Sequence, residues 1–225
     1  MKYSKQLLVF DWDGTLMDSQ ARIVNCFRAA INDIGKEMRN DDQLSNVIGL
    51  GFREALFSLY PDEGDDFHKP LVDRYRHYFL SADDTPSMLF DGTLAMLEEL
   101  NEQGYYLAVA TGKGRHGLDI ALKENNVARL FHASRCADET RSKPHPQMLD
   151  ELMDYFGVEA EQSLMIGDTE YDLQMANNAK VHAVGVTYGV HDEQRIRDCQ
   201  PFACVSSPKE LHSWLTDKIS NQELN

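Results

Sequence analysis

The stretch Leu7-Leu8-Val9-Phe10-Asp11-Trp12-Asp13-Gly14-Thr15 decides the reading of this chain. Four apolar residues run directly into two aspartates one residue apart, followed by Gly-Thr. An apolar run of this length bounded by a turn signal predicts a buried parallel strand. The C-terminal ends of such strands are where α/β proteins hold ligands. Two carboxylates at a strand mouth repel one another and lose hydration, so a cation is needed there, most simply a metal ion. A surface turn has no need of Asp-x-Asp directly behind a core strand.

Three further segments belong with it, two of them apolar runs that end in the same way. Tyr106 to Ala110 is apolar and ends in Thr111-Gly112-Lys113. Ser142-Lys143-Pro144 follows. Ser163 to Ile166 then ends in Gly167-Asp168-Thr169, with Asp172 four residues beyond Asp168. In this order the four segments resemble motifs I to IV of the haloacid dehalogenase (HAD) superfamily, and the phosphoglycolate phosphatase-like branch (subfamily IA) in particular. The resemblance spans nearly the whole chain.

It implies an α/β fold: a Rossmann-like, doubly wound parallel sheet as core, residues 1–16 and 86–225, with an inserted helical (C1) cap, residues 17–85. The residues themselves support this division. Between motifs I and II the pattern is helical: Ile23, Cys26, Phe27, Ala30 and Ile34 recur at helical spacing, and 52–59 and 67–79 repeat the theme around the breaker Tyr60-Pro-Asp-Glu-Gly64. Polar hinges at 18–19 and 81–86 bound the segment. The remainder alternates predicted helices (93–103, 116–124, 146–156, 171–178) with predicted strands (106–111, 132–136, 163–167, 182–187, 202–205). Such alternation gives a parallel sheet covered on both faces. Ser207-Pro-Lys-Glu210 is a capping box opening a last helix.

The resemblance also implies roles. Asp11 is the nucleophile that becomes an aspartyl phosphate, carboxylate being already ionised at neutral pH. Asp13 protonates the leaving alkoxide and then activates water. Asp11, the main-chain carbonyl of Asp13, Asp168 and Asp172 hold Mg²⁺, which takes few protein carboxylates and keeps several waters. Thr111 offers a hydroxyl to the phosphoryl group, and Gly112 lets the backbone approach it. Lys143 offsets the crowded negative charge. Lys113 is either a solvated lysine or a substrate contact. Arg53, in the glycine-containing loop Val47 to Arg53, either reads a second anionic group on the substrate, as in phosphoglycolate, or is an exposed arginine beside a turn. Glu170 is expected to face solvent, and His116, His145 and His182 to be structural or surface residues.

An acid at position 13 suits an oxygen leaving group, so dehalogenase and phosphonatase chemistry is excluded. The expected function is a phosphatase acting on small phosphorylated metabolites. A phosphosugar mutase or a catalytically silent binding protein are the alternatives, the latter disfavoured by intact Asp11, Asp13, Lys143 and Asp168. With 225 residues, 42% of them hydrophobic, there is material for one sizeable core and a smaller lobe. The formal net charge of −15 disfavours nucleic acid as a partner. It also repels phosphate esters globally, so positive charge must be supplied locally, and a divalent metal, Lys143 and Lys113 are the candidates. No apolar stretch reaches membrane-spanning length, and the start, with Lys2 and Lys5, lacks a signal-peptide pattern. Four cysteines without a CxxC pair fit a reduced, cytoplasmic protein. A monomer or weak homodimer is expected.

Overall fold

The apolar run at the start of the quoted stretch becomes β1 (Leu7–Phe10), the centre of a parallel sheet. The computed structural model describes residues 7–221, with side chains described to Asp217. Lys2, Lys5 and the polar residues beyond Asn221 lie outside the described residues. After β1 come β2 (Met17–Asp18), α1 (Gln20–Asp33), α2 (Asp41–Asn46), α3 (Phe52–Leu59), α4 (Asp65–His77) and β3 (Met88–Leu89). There follow α5 (Thr93–Glu102), β4 (Tyr106–Thr111), α6 (Arg115–Glu124), β5 (Ala133–Cys136) and α7 (Gln147–Phe156). The chain continues through β6 (Ser163–Gly167), α8 (Glu170–Asn178), β7 (His182–Val186), α9 (Glu193–Asp198), β8 (Ala203–Val205) and α10 (Pro208–Asn221).

The six-stranded sheet has the order β5-β4-β1-β6-β7-β8, with every pairing parallel. The chain winds outward from β1 in one direction and then returns to wind in the other. The order therefore reverses at β1, the switch point where doubly wound sheets bind ligands. Strand parity divides the core. Leu8, Phe10, Leu107, Val109, Leu164 and Ile166 face α5, α6 and α10, whereas Leu7, Val9, Ala108, Ala110 and Met165 face α7, α8 and α9. Both faces are covered, which is why the strands read as continuous apolar runs rather than alternating ones.

Residues 20–77 contribute α1 to α4, which bury a third apolar cluster of their own, including Phe27, Ile31, Leu44, Leu56 and Leu71. Entering and leaving this segment, the chain pairs β2 with β3 in an antiparallel two-stranded ribbon, Met17 opposite Leu89 and Asp18 opposite Met88. Neither short strand has a sequence signal, since two residues cannot show a period. Helix α2 was also not predicted. Its cause is nevertheless local: the Asn40 side chain accepts from Gln43 N while the Gln43 side chain accepts from Asn40 N, a capping box. Helix α9 is likewise an addition, capped by Asp192 accepting from Arg195 N.

Candidate active site

Register brings the candidate residues together. Phe10 pairs with Val109 on one side and Ile166 on the other, and Asp11 N donates to Ile166 O at 2.9 Å. The ends of β4 and β6 thus flank the end of β1, placing Thr111 and Asp168 beside Asp11. Asp11, Asp168 and Asp172 each offer a carboxylate oxygen within 4.8 Å of the others, and all three are buried.

Lys143, on the loop after β5, is 1% exposed and reaches into this cluster. Its Nζ donates to Asp11 Oδ1 and to Asp172 Oδ1, both at 2.6 Å. Asp172 is held by its own helix end: its Oδ2 accepts from Thr169 N at 3.1 Å and from Thr169 Oγ1 at 2.7 Å, in the capping box that opens α8. Asp168 accepts from Thr15 Oγ1 at 2.7 Å and from Val190 N at 2.8 Å. Asp11 Oδ2 is buried without a hydrogen-bond partner.

Asp13 belongs to a second, smaller group. Ser19 Oγ donates to its Oδ1 at 2.7 Å, and Lys113 Nζ lies 3.1 Å from its Oδ2. Lys113 is not a solvated lysine: its ammonium also sits 4.3 Å from the Phe79 ring centre, in cation–π range. Two glycines permit the close approaches. At Gly14, with φ of +89°, a Cβ would fall 2.2 Å from Asp168 Oδ2. At Gly112 a Cβ would fall 2.5 Å from the carbonyl oxygens of Gly49 and Leu50, so only glycine lets the 47–51 loop pack down on the sheet mouth.

Charge counting tests whether a metal fits. Three buried carboxylates face one ammonium, an excess of two negative charges. A divalent, oxygen-seeking cation matches both the charge and the donor set. Without one, the acids resist ionising. Burial, opposed by Lys143 and reinforced by Asp172 and Asp168, holds the Asp11 carboxyl well above the usual carboxylate range. Burial and the neighbouring Asp172 push Asp168 up to about 7. Burial alone would drive the Lys143 ammonium down, but Asp11 and Asp172 outweigh it and hold it above the ordinary lysine range.

A cavity of about 310 Å³ opens onto Asp11, Asp13, Thr111, Gly112 and Lys113, and its opposite wall is built by the helices of residues 20–77. Arg53 does not line it. Its side chain is exposed in the first turn of α3, 5.7 Å from the Phe57 ring centre, facing an adjoining groove that shares Phe52, Arg76, Gly112, Gly114 and Asp138 with the cavity. Glu170 departs from its expected solvent-facing place: it is half-buried and pairs with Arg195 at 2.5 Å. His116 is exposed at the cavity rim, and His145 Nδ1 accepts from Gln147 N.

Several contributors escaped the sequence reading. In the sequence Ser19 marks only a hinge and the start of a helix, Thr15 is only part of a motif, and nothing distinguishes His191. His191 is 3% exposed; Glu170 N donates to its Nδ1 at 3.1 Å, and its Nε2 lies 3.4 Å from Asn46 O. Tyr171 Oη donates to the same Asn46 carbonyl at 2.9 Å, and Arg195 donates to Asn46 Oδ1 at 2.7 Å. Gly51 N donates to Ser142 Oγ at 2.8 Å. The contacts of Asn46 and Gly51 join the helical segment to the α/β core, and no local pattern announces them because each spans 90 residues or more.

Comparison with known proteins agrees with this geometry. The family model described as haloacid dehalogenase-like hydrolase matches residues 8–186. A Dickeya dadantii protein named "Probable phosphatase IndB" is 32% identical over 212 residues, 92% of each chain. The phosphoglycolate phosphatase of Aliivibrio fischeri is 32% identical over 205 residues, covering 87% of this chain and 90% of its own. Among solved structures, one described as a "predicted phosphatase from Clostridium acetobutylicum" superposes with a TM-score of 0.85 at 25% identity, covering 95% of this chain and 99% of that one. With its sheet order, its clustered aspartates and these relatives all in agreement, the chain is an enzyme of the haloacid dehalogenase-like hydrolase family, and it stands among relatives named as phosphatases.

Proposed function

We propose that this protein is a Mg²⁺-dependent phosphatase that hydrolyses small phosphate monoesters through an aspartyl phosphate on Asp11. The observation that carries the reading is Asp11 itself: one carboxylate oxygen is fixed by Lys143, and the other is buried, unpartnered and beside the cavity. A fixed, desolvated carboxylate with one free oxygen is suited to attack phosphorus.

Asp11, Asp168, Asp172 and the Asp13 main-chain carbonyl would hold Mg²⁺, which supplies charge neutralisation for the transferring phosphoryl group. The chain's own residues do the rest. Lys143 keeps Asp11 oriented and offsets charge on the phosphoryl oxygens. Thr111 and Gly112, at the end of β4, cradle those oxygens. Asp13, oriented by Ser19 and Lys113, gives a proton to the leaving alkoxide, then takes one from the water that hydrolyses the aspartyl phosphate. The helical segment 17–85 acts as a cap whose contacts at Asn46, Gly49 to Gly51 and Ser142 close the site and exclude water. Four free cysteines, two of them buried, support a reduced cytoplasmic setting. Among the described residues no helix is long and apolar enough to cross a membrane.

Turnover of a generic aryl phosphate with and without Mg²⁺ tests the reading. Activity should disappear on exhaustive chelation and return on adding Mg²⁺. A rapid quench should recover acid-stable, base-labile phosphoprotein from wild type and none from Asp11→Asn.

A further inference from the structure

The cavity over Asp11 has two unlike halves. The sheet half carries the phosphoryl machinery. The helical half is built by Ile23, Phe27, Val47, Leu50, Phe52 and Phe79, aliphatic and aromatic side chains drawn from α1, the 47–51 loop, α3 and the turn after α4. Ile23, Phe27 and Val47 are buried, so this is a formed wall rather than a loose surface. Tyr75 completes it, its ring 4.6 Å from that of Phe27 and 4.7 Å from that of Phe52, and stacked on Phe79 at 5.7 Å. Burial, and then the Asp13 carboxylate, hold its hydroxyl protonated well above the usual range, so it remains a neutral donor.

Charges able to receive an anionic tail are poorly placed. Among the described residues, the lysine and arginine lining this cavity are Lys113 and Arg76. Lys113 is committed to Asp13 and covered by Phe79. Arg76 is exposed in the last turn of α4, at the rim. An anionic tail would instead meet Asp13 and Asp138, which also line the cavity, inside a chain of net charge −15. Arg53, one of whose two sequence readings is contact with such a tail, lines the adjoining groove instead.

We infer that the substrates are phosphate monoesters of apolar or aromatic alcohols, whose hydrocarbon body packs against the Phe27–Phe52–Phe79 wall while the phosphate meets Asp11. The inference rests on the phosphatase reading and names the substrate class of that site. An apolar body fills such a wall at no desolvation cost to the cavity, whereas a carboxylate tail would lose hydration against it and meet Arg76 and His116 only at the exposed rim.

A series of n-alkyl phosphates from ethyl to hexyl, whose leaving alkoxides have nearly equal basicity, separates packing from chemistry. kcat/KM should rise about threefold to fourfold per added methylene until the cavity is filled. 2-Phenylethyl phosphate should exceed phosphoglycolate and glycerol 3-phosphate by at least about tenfold. Leu50→Arg should flatten the series, a ratio that does not depend on the fraction of protein folded. Matched alkylphosphonates, titrated calorimetrically into Mg²⁺-loaded wild type, should rank in the same order. A flat series in wild type, or a preference for phosphoglycolate, overturns the inference. If no ester is turned over but the phosphonates still rank by tail length, the phosphatase reading fails and the apolar subsite stands. If neither turnover nor ranking is seen, both fail.

Discussion

The two walls of the cavity are fixed by different physics. On the sheet side, position comes from parallel register and from charge: Asp11, Asp168 and Asp172 sit at the ends of adjacent elements, tied by Lys143, Thr15 and Thr169 at 2.6–2.7 Å. On the helical side, position comes from apolar packing among α1, α3 and α4, with aromatic rings 4.6–6.3 Å apart. A charged cluster tolerates almost no substitution, because removing one member leaves another charge buried and unpaired. A packed apolar wall tolerates hydrophobic exchange at constant volume. On the proposed function, reaction chemistry and substrate choice would fall to separable parts of one cavity, the first fixed by charge and the second by packing.

The sheet side can be broken most severely at Asp11. Asp11→Asn should reduce turnover by on the order of 10⁴-fold or more, with the fold retained by circular dichroism. Substantial residual activity would mean that water attacks phosphorus directly. Lys143→Met should be the most destabilising single change, by about 3–5 kcal/mol in denaturant unfolding, because three carboxylates would lose their one buried cation. Unchanged stability would show that the cluster is hydrated and that its charges are not truly buried.

Asp13 should be less costly. Asp13→Asn should slow turnover by about 10²–10⁴-fold, the range for a positioned acid or base. Ser19→Ala, which removes only the 2.7 Å bond orienting it, should cost about fivefold in kcat, the rate equivalent of roughly 1 kcal/mol. An effect of Ser19→Ala on KM alone would place its role in binding instead.

Metal linkage sharpens the comparison further. In the metal-free protein the folded-state carboxyls of Asp11 and Asp168 are raised, Asp168 to about 7, against roughly 3.9 when unfolded. The folded chain therefore binds more protons than the unfolded one between those values. Its stability contribution from these groups is full below about pH 4 and is lost as pH rises toward 7. Mg²⁺ needs the ionised forms, so the rise in melting temperature on adding Mg²⁺ should grow from pH 5 to pH 8. A rise that is constant or shrinks over that range would contradict the buried-carboxylate account.

The smallest effect belongs to the helical side. Arg53→Ala should change kcat/KM by less than about twofold for anionic-tailed and neutral-tailed esters alike, and stability by no more than about 0.5 kcal/mol, because the side chain is exposed and off the cavity. A selective loss for anionic-tailed substrates would restore Arg53 as a specificity residue and move the substrate path into the neighbouring groove.

How much of this was legible depends on the range of each cause. The strands at 7–10, 106–111 and 163–167 were readable because a twice-covered parallel strand must be apolar throughout, and the acids after them stood out against it. Helix 52–59 was readable from its spacing. The ribbon of Met17–Asp18 and Met88–Leu89 was not, since its two residues per strand are paired across some seventy positions of chain. Lys113 stayed ambiguous in the sequence because its two partners, Asp13 and Phe79, come from opposite walls.

The candidate acids and Lys143 could be picked out from the chain alone, because element ends, motif order and acid spacing are local patterns; the structure brings Asp11, Asp168, Asp172 and Lys143 together. Which side chains line the cavity is legible only from the packed structure. Phe27, Phe52 and Tyr75 each sit on the apolar face of a different helix, Phe79 follows Tyr75 by four residues, and Arg53 lies one residue from Phe52. Whether such a side chain points into a core, a cavity or solvent is set by the packing of helices against a distant sheet, through contacts too far apart in sequence for any periodicity to encode.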